Sequence, residues 1–425
     1  MTRILVATST FPVHPDDGIP RFILDLALAL SQHAEVSVLA PDAAGAALRE
    51  QIGKVDVERF VYFMPRSSQR LAITNQQGMR DNLRGSLLAK FQLPLFLLRQ
   101  TAHMRRMIRE RRIDVVNAHW LVPQGLTAAW ALRRKPTVKL VLHVHAGDVY
   151  LLQKLVLGPR IARYVVKRAA AVFAAGSHVR DALNQLLGYD SQAVLQPMGV
   201  NRDQFARSDA LQAVAEAQTV RAADSSCGVS GFPDGFILFF GRLAEKKGAI
   251  YLVQAMRRIQ ESMPGVGLVI AGYGPEEEAL RAKVQELNLQ ERVRFVGRQS
   301  HPQIVGLLHA CRAAAVPSII DSHGETEGMP TVVVEALAAG VPVVGSNVDG
   351  IPDVIRHGEN GWLCREKDPD DLAEKLLTAL NCNSTQFAEA AVAAAAEYDW
   401  QQVAANYLAC IVGRRAESVH GVRAK

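Results

Sequence analysis

The chain lacks any apolar run approaching the about 20 residues of a membrane-spanning helix, which excludes a helical span. Its five cysteines, Cys227, Cys311, Cys364, Cys382 and Cys410, are scattered, odd in number and without a C-x-x-C. A disulfide framework or a zinc site is therefore not expected, and a reducing compartment is. No basic run is interleaved with aromatics, so no stacking platform for single-stranded nucleic acid is expected. The first residues enter an apolar strand directly, with no room for a signal peptide. A cytoplasmic protein is the expectation. The Asp-x-Asp letters at Asp368 and Asp370 stand just before a helical run and read as a helix cap, not as metal ligands.

What is present is an ample core: 49% of the 425 residues are hydrophobic and 21% charged, enough for two or three domains. The net charge of +6 suits an anionic ligand or surface. Short branched apolar runs alternate with amphipathic helical stretches in both halves, the pattern of doubly wound α/β sheets. In the first half the strands are expected at 3–8, 36–39, 115–116, 139–144 and 171–175. In the second they are expected at 236–240, 267–271, 293–296, 313–317 and 342–345. Between the two series, residues 206–235 are rich in Ala, Ser, Gln and Gly and read as a linker with a surface insertion. The expected domains are 1–205, the linker 206–235, a second domain 236–385, and a C-terminal helix within 386–425 that runs from about Phe387 to Val412.

The chain is organised around Glu327 and Glu335, which bracket Gly328, Met329, Pro330 and Thr331 before a β-branched run. Gly328 permits a tight turn, and Pro330 suits the first turn of a helix. The helix should start at Pro330 or Thr331, hold Glu335 one turn inside, and stop at Gly340 before Pro342. Free N–H groups at such a start form an anion site. Carboxylates on either side of it suit a phosphate that carries sugars, because sugar hydroxyls donate to carboxylates.

Glu327 and Glu335, with seven residues between them in this setting, resemble the donor site of the retaining glycosyltransferases of family 4, which have the GT-B fold. The resemblance is strongest over 235–361. It implies two Rossmann-like, doubly wound domains facing each other across a cleft, the first binding acceptor and the second a nucleotide sugar. Glu327 would face the transferred sugar and Glu335 hold the ribose. Gly241-Arg242-Leu243, with Lys247 before Gly248, would place Arg242 and Lys247 on the donor diphosphate, with Lys246 as the adjacent alternative. Gly272 lies in a donor loop, and Arg298 near the base. The family's glycine pair after the first strand is reduced here to Gly18-Ile19, which leaves Gly18 as the match. His145, followed by Gly147 and Asp148, would face the reacting sugar. His143 is expected to point the other way and pack within the fold, and His119 reads first as a packed residue.

The implied reaction is transfer of a hexosyl group from a nucleotide diphosphate sugar, UDP-sugar before GDP-mannose, to a hydroxyl of a saccharide or lipid-linked acceptor. Retention, no metal and no cofactor are expected, in bacterial surface polysaccharide (including lipopolysaccharide) or glycolipid synthesis. A GT-B sugar-nucleotide epimerase and a silent GT-B scaffold stand as alternatives. Between Arg99 and Arg112 lie six arginines against Glu110 alone, after leucine-rich pieces. The stretch Arg80 to Arg112 reads either as a helix resting on an anionic membrane surface, at the inner face of the plasma membrane, or as a solvated basic helix.

Overall fold

The computed structural model describes residues 1–13, 21–72, 79–205, 231–322, 324, 326, 328–382 and 384–412. Gly18, Glu327, and residues 206–230 of the expected linker lie outside them. The chain divides into two compact units, Met1–Pro197 with the chain from Trp400 onward, and Met198–Asp399.

The first unit is built on β1 (Arg3–Ala7), β2 (Glu35–Pro41), β3 (Arg49–Ile52), β4 (Val55–Phe60), β5 (Val115–His119), β6 (Lys139–Val144), β7 (Ala171–Ala174) and β8 (Val194–Leu195). Their order is β3-β4-β2-β1-β5-β6-β7-β8, parallel throughout except for the β3–β4 pair. β1 is buried on both faces, which is why Ile4 to Ala7 form an unbroken apolar run. Its neighbours are β2 on one side and β5 on the other, so the strand order reverses there. One face of the sheet joins a core with Leu5, Val116, Leu140 and Leu142. Helix Phe22–Leu30 buries Ile23, Leu26, Ala27 and Leu30, the spacing of a single stripe.

The second unit carries β9 (Phe236–Phe240), β10 (Gly267–Ala271), β11 (Val293–Gly297), β12 (Ala313–Val316), β13 (Val343–Ser346) and β14 (Trp362–Cys364). All pairs are parallel, in the order β11-β10-β9-β12-β13-β14. Numbered from β9 this is 3-2-1-4-5-6, the dinucleotide-fold order, with its reversal between β9 and β12. Alternation along β9 feeds two cores: Ile237 and Phe239 pack on one face, and Phe236, Leu238 and Phe240 on the other.

Two expectations are corrected. The stretch from Phe387 to Val412 is not one helix. Helices Ser384–Ala395 and Trp400–Val412 are separated by a 3-10 turn at Ala396–Tyr398. The break is pinned where Tyr398 is buried, its hydroxyl donating to Asp353 O at 3.3 Å and its carbonyl accepting from Val200 N at 2.8 Å. Helix Trp400–Val412 then buries Val403, Ala404, Tyr407 and Ile411 within the first unit. The second correction concerns His143 and is taken up with the site.

The basic stretch forms helices Met79–Gly85 and Leu87–Glu110, the latter capped by Ser86 Oγ, which accepts from Ala89 N. Asp368 caps helix Pro369–Asn381 by accepting from Asp371 N at 2.9 Å, so that Asp-x-Asp does serve as a cap.

Candidate functional site

In the second unit, the loops that follow β9, β10, β12 and β13 meet at the carboxyl end of the sheet. Leu243 N donates to Tyr273 O at 2.9 Å, and Glu276 N to Leu243 O at 3.1 Å, joining the β9 and β10 loops. Their approach is closest where a Cβ on Gly272 would stand 1.8 Å from Gly241 O. Across the reversal, Ile319 N donates to Lys246 O at 2.9 Å, and a Cβ on Gly248 (φ +64°) would stand 1.9 Å from Pro317 O. Glu245 accepts from both Ser322 N (2.9 Å) and Ser322 Oγ (2.8 Å) and so ties the same two loops. Gly350 N donates to Gly328 O at 3.0 Å and fixes the turn before the glutamate-bearing helix.

That helix is Thr331–Ala338, with Pro330 as its N-cap residue and no side-chain cap bond among the described residues; Val333 N donates to Pro330 O at 3.1 Å. The left-handed Gly340 (φ +70°) follows its end. Glu335 stands one turn inside, half-buried; Met329 and Pro330 are buried. Arg242 is exposed and Lys247 half-buried. These residues, with Gly272 and Gly328 to Thr331, therefore lie on loops gathered around one reversal point. Arg298 follows β11, one strand further out, with its guanidinium 5.9 Å from the Tyr273 ring centroid. Two residues the sequence reading passed over belong here: Ser318 Oγ and Thr326 Oγ1 are buried with no partner among the described residues. The position of Ser318 two residues past the end of β12 was the available signal.

In the first unit the ends of β5 and β6 carry an aromatic stack. His119 and His143 are directly paired in register. His143, near the end of β6, and His145, just past it in backbone that is still extended, share a face. The expectation that His143 points away from His145 is thus overturned: their rings stack at 4.7 Å and 12°. His143 is nonetheless fully buried, its Nδ1 bonded to the Tyr407 hydroxyl. Trp120 lies 4.8 Å from His145. His145 is half-buried and precedes helix Ala146–Gln153, its N–H donating to Asp148 Oδ1 at 3.0 Å. Asp148 Oδ2 accepts from Leu121 N, which locks the β5 and β6 loops together. Burial first, and the neighbouring imidazoles second, hold His119 and His143 well below the usual histidine value; burial brings His145 to about 3. All three rings are neutral at pH 7.

Burial also raises the Asp148 carboxyl to about 7, against the pull of backbone N–H donors. Its folded value exceeds its unfolded one, so its contribution to stability is present below about pH 4 and lost as pH rises through about 7. Asp148→Asn should remove this pH dependence. At acidic pH, where the carboxyl is protonated and offers one strong acceptor oxygen as the amide does, the two proteins should be close in stability. Urea midpoints of both proteins from pH 4.5 to 8 check this.

Among the described residues, no group of three or more His, Cys, Asp and Glu is placed to hold a metal ion, and no helix is long and apolar enough to cross a membrane.

Two Rossmann-like units, the second with amides, cations and carboxylates around its reversal point, define a double-Rossmann protein. Comparison with known proteins agrees. The family model described as Glycosyl transferases group 1 matches residues 230–397, and that described as Glycosyltransferase Family 4 matches residues 17–204. A glycogen synthase of Mycobacterium tuberculosis is 28% identical over 321 residues, covering 72% of this chain and 71% of its own. A putative colanic acid biosynthesis glycosyltransferase of Escherichia coli, WcaL, is 30% identical over 40% of this chain and 42% of its own. Among solved structures, Anabaena HepE in complex with UDP superposes with a TM-score of 0.69 at 20% identity, covering 97% of this chain and 100% of that one. Sucrose-phosphate synthase from Thermosynechococcus elongatus gives 0.71 at 20% identity, covering 96% and 97%. The chain belongs to the family 4 glycosyltransferases of the GT-B fold. Its activity is glycosyl transfer.

Proposed function

We propose that the protein transfers a hexosyl group from a UDP-sugar, or second from GDP-mannose, to a hydroxyl of a saccharide or lipid-linked acceptor, with retention and without a metal. The carrying observation is the convergence of the Arg242–Lys247 loop and the Thr331–Ala338 helix start at the reversal between β9 and β12. Charge grows on the diphosphate as the glycosidic bond breaks. Arg242, Lys247 and the amides and dipole of the helix start can oppose that charge in place of a metal. Glu335 would accept from ribose hydroxyls, and Glu327 would orient the sugar. The leaving phosphate itself would take the acceptor proton on the face it departs from. His145, in the first unit, would contact a bound sugar. Complexes of the structural neighbour HepE with UDP and with UDP-glucose support the choice of donor. Relatives in colanic acid and amylovoran biosynthesis support a bacterial surface-polysaccharide setting.

A lipid-linked acceptor accords with the outer face of helix Leu87–Glu110. Leu87, Phe91 and Leu98 lie on one stripe and are 82%, 67% and 64% exposed, and exposed Arg105 and Arg109 continue it. The exposed turn Leu155-Val156-Leu157, between exposed Lys154 and Arg160, adds a second apolar tip with basic flanks. We place the protein on the inner face of the plasma membrane through these surfaces.

The test is incubation with UDP- and GDP-sugars, with saccharide acceptors and with polyprenyl-phosphate-linked acceptors in anionic vesicles. Transfer with retained anomeric configuration, insensitive to EDTA, is expected, and sedimentation with the vesicles should weaken about tenfold or more in Leu87→Asp/Phe91→Asp. Release of free epimerised sugar without acceptor would indicate the epimerase, and no turnover with donor bound would indicate a scaffold. Glu327→Ala should keep donor binding and lose transfer.

A further inference from the structure

Consecutive side chains along extended backbone point to opposite faces. Trp120, which follows the last residue of β5, breaks that rule. Its indole lies 6.2 Å from the ring of His119, 4.8 Å from His145 and 6.3 Å from Phe22, and Phe22 and His145 stand 5.8 Å apart. The cause is the Trp120 backbone, at φ +74° and ψ 138°. A bulky side chain rarely takes a positive φ, and this ψ lies far from the left-handed well at about 30–60°. The other described non-glycine residues with positive φ all lie between 49° and 57°. Neighbouring bonds impose the conformation: Trp120 N donates to His143 O at 2.8 Å, Trp120 O accepts from Gly125 N at 3.0 Å, and Leu121 N donates to Asp148 Oδ2. Backbone held this way persists only where the surroundings over-determine it, and it gathers at ligand sites.

Phe22, Trp120 and His145 are each half-buried and belong to segments that leave the carboxyl ends of β1, β5 and β6. Ligands of such sheets bind in the crevice there. The three rings carry no charge, so an anionic group would find no partner among them. The His145 side chain accepts from Asp148 N, and its Nε2 lies 3.4 Å from His119 Nδ1, so both its ring nitrogens already face protein groups. The indole is the group at this corner that combines a flat apolar body with a donor N–H at its edge. A pyranose is its complement, with C–H groups across one face and hydroxyl acceptors around the rim.

We propose that Trp120 is a specificity-determining residue whose indole packs against a pyranose ring of the acceptor. This rests on the reading that the first unit binds the acceptor, and narrows that acceptor to one that ends in a pyranose.

The experiment follows the indole N–H signals of the full-length protein labelled with ¹⁵N-tryptophan. The chain has four tryptophans, and Trp120 is assigned by the signal lost in Trp120→Phe. The probes are methyl α-glucopyranoside, methyl α-mannopyranoside, methyl α-galactopyranoside and, separately, UDP. The Trp120 signal should move saturably with at least one pyranoside while those of Trp130, Trp362 and Trp400 stay in place. With a saccharide acceptor that turns over, Trp120→Leu should raise the acceptor KM about tenfold, the scale of one aromatic contact, and leave kcat little changed. Trp120→Phe keeps a flat ring and should recover most of that loss. A Trp120 signal that moves with UDP and with no pyranoside would give the ring to the nucleotide. One that moves with none of the four probes would leave it a packing residue. Either result overturns the proposal, as does an unchanged acceptor KM in folded Trp120→Leu. Should that variant not fold, by its urea midpoint, the wild-type titration decides alone. The titration needs no turnover, so a wild type that transfers nothing is a separate failure, that of the function itself.

Discussion

Arg242→Ala should lower kcat/KM for transfer by about 10²–10³-fold while leaving the urea midpoint within experimental error. The first half follows from what a fixed cation does for a departing diphosphate. Removing one preorganised group aimed at developing charge typically costs that factor. The second half follows from exposure. Arg242 is exposed, on a loop whose conformation is held by backbone bonds from its neighbours Gly241 and Leu243. Surface substitutions of this kind usually move stability by no more than about 0.5 kcal/mol. Arg242→Lys should recover only part of the loss, because an ammonium cannot present the two parallel donors of a guanidinium. Steady-state kinetics paired with denaturation of the same samples make the comparison. Wild-type turnover in Arg242→Ala would take the cation out of the proposed mechanism.

Gly272→Ala should be the most disruptive single methyl in the second unit. Gly272 has φ +159°, and the added carbon would stand 1.8 Å from Gly241 O, a backbone atom that cannot swing aside. The β9 and β10 loops would have to part, breaking the bond from Leu243 N to Tyr273 O. A loss of about 3 kcal/mol or more is expected from strain and lost bonds together. Donor affinity should fall with it, because the same two loops carry Arg242. Gly297→Ala is the control: it is left-handed at φ +67° but has nothing within 4 Å of its added carbon. It should cost only about 1–2 kcal/mol, the price of the backbone conformation alone. Equal effects at the two positions, by urea unfolding, would show that the close approach of the loops is not what matters.

Much of this was legible in the residues themselves. β9 is five apolar residues ended by Gly241, and both its limits were readable because a buried parallel strand needs an unbroken apolar run. Helix Thr331–Ala338 starts and stops where Pro330 and Gly340 require. The β3–β4 hairpin was not foreseen. It is short, its antiparallel edge is polar, and its two-residue turn at Gly53-Lys54 lacks the usual Asn-Gly signal. The His143 error was avoidable, since residues two apart on a strand always share a face. The bond from His143 to Tyr407 was not readable in any way, because nothing local announces a partner 264 positions away. The same holds for Glu245 and Ser322, 77 positions apart. Sequence pattern fixes which face a side chain takes; only tertiary structure reveals what it meets there.

The return of the helix from Trp400 to the first unit sets the order in which the chain can finish folding as it is made. The sheet that carries His119 and His143 receives Val403 and Tyr407 only after all of Met198–Asp399 has been synthesised. At about 5–20 residues per second, that delay lasts roughly 10–40 s. The second unit is contiguous and complete by then, so the unit begun first is the one closed last. A ribosome-stalled chain ending near Asp399 should expose that sheet face to chaperones or protease.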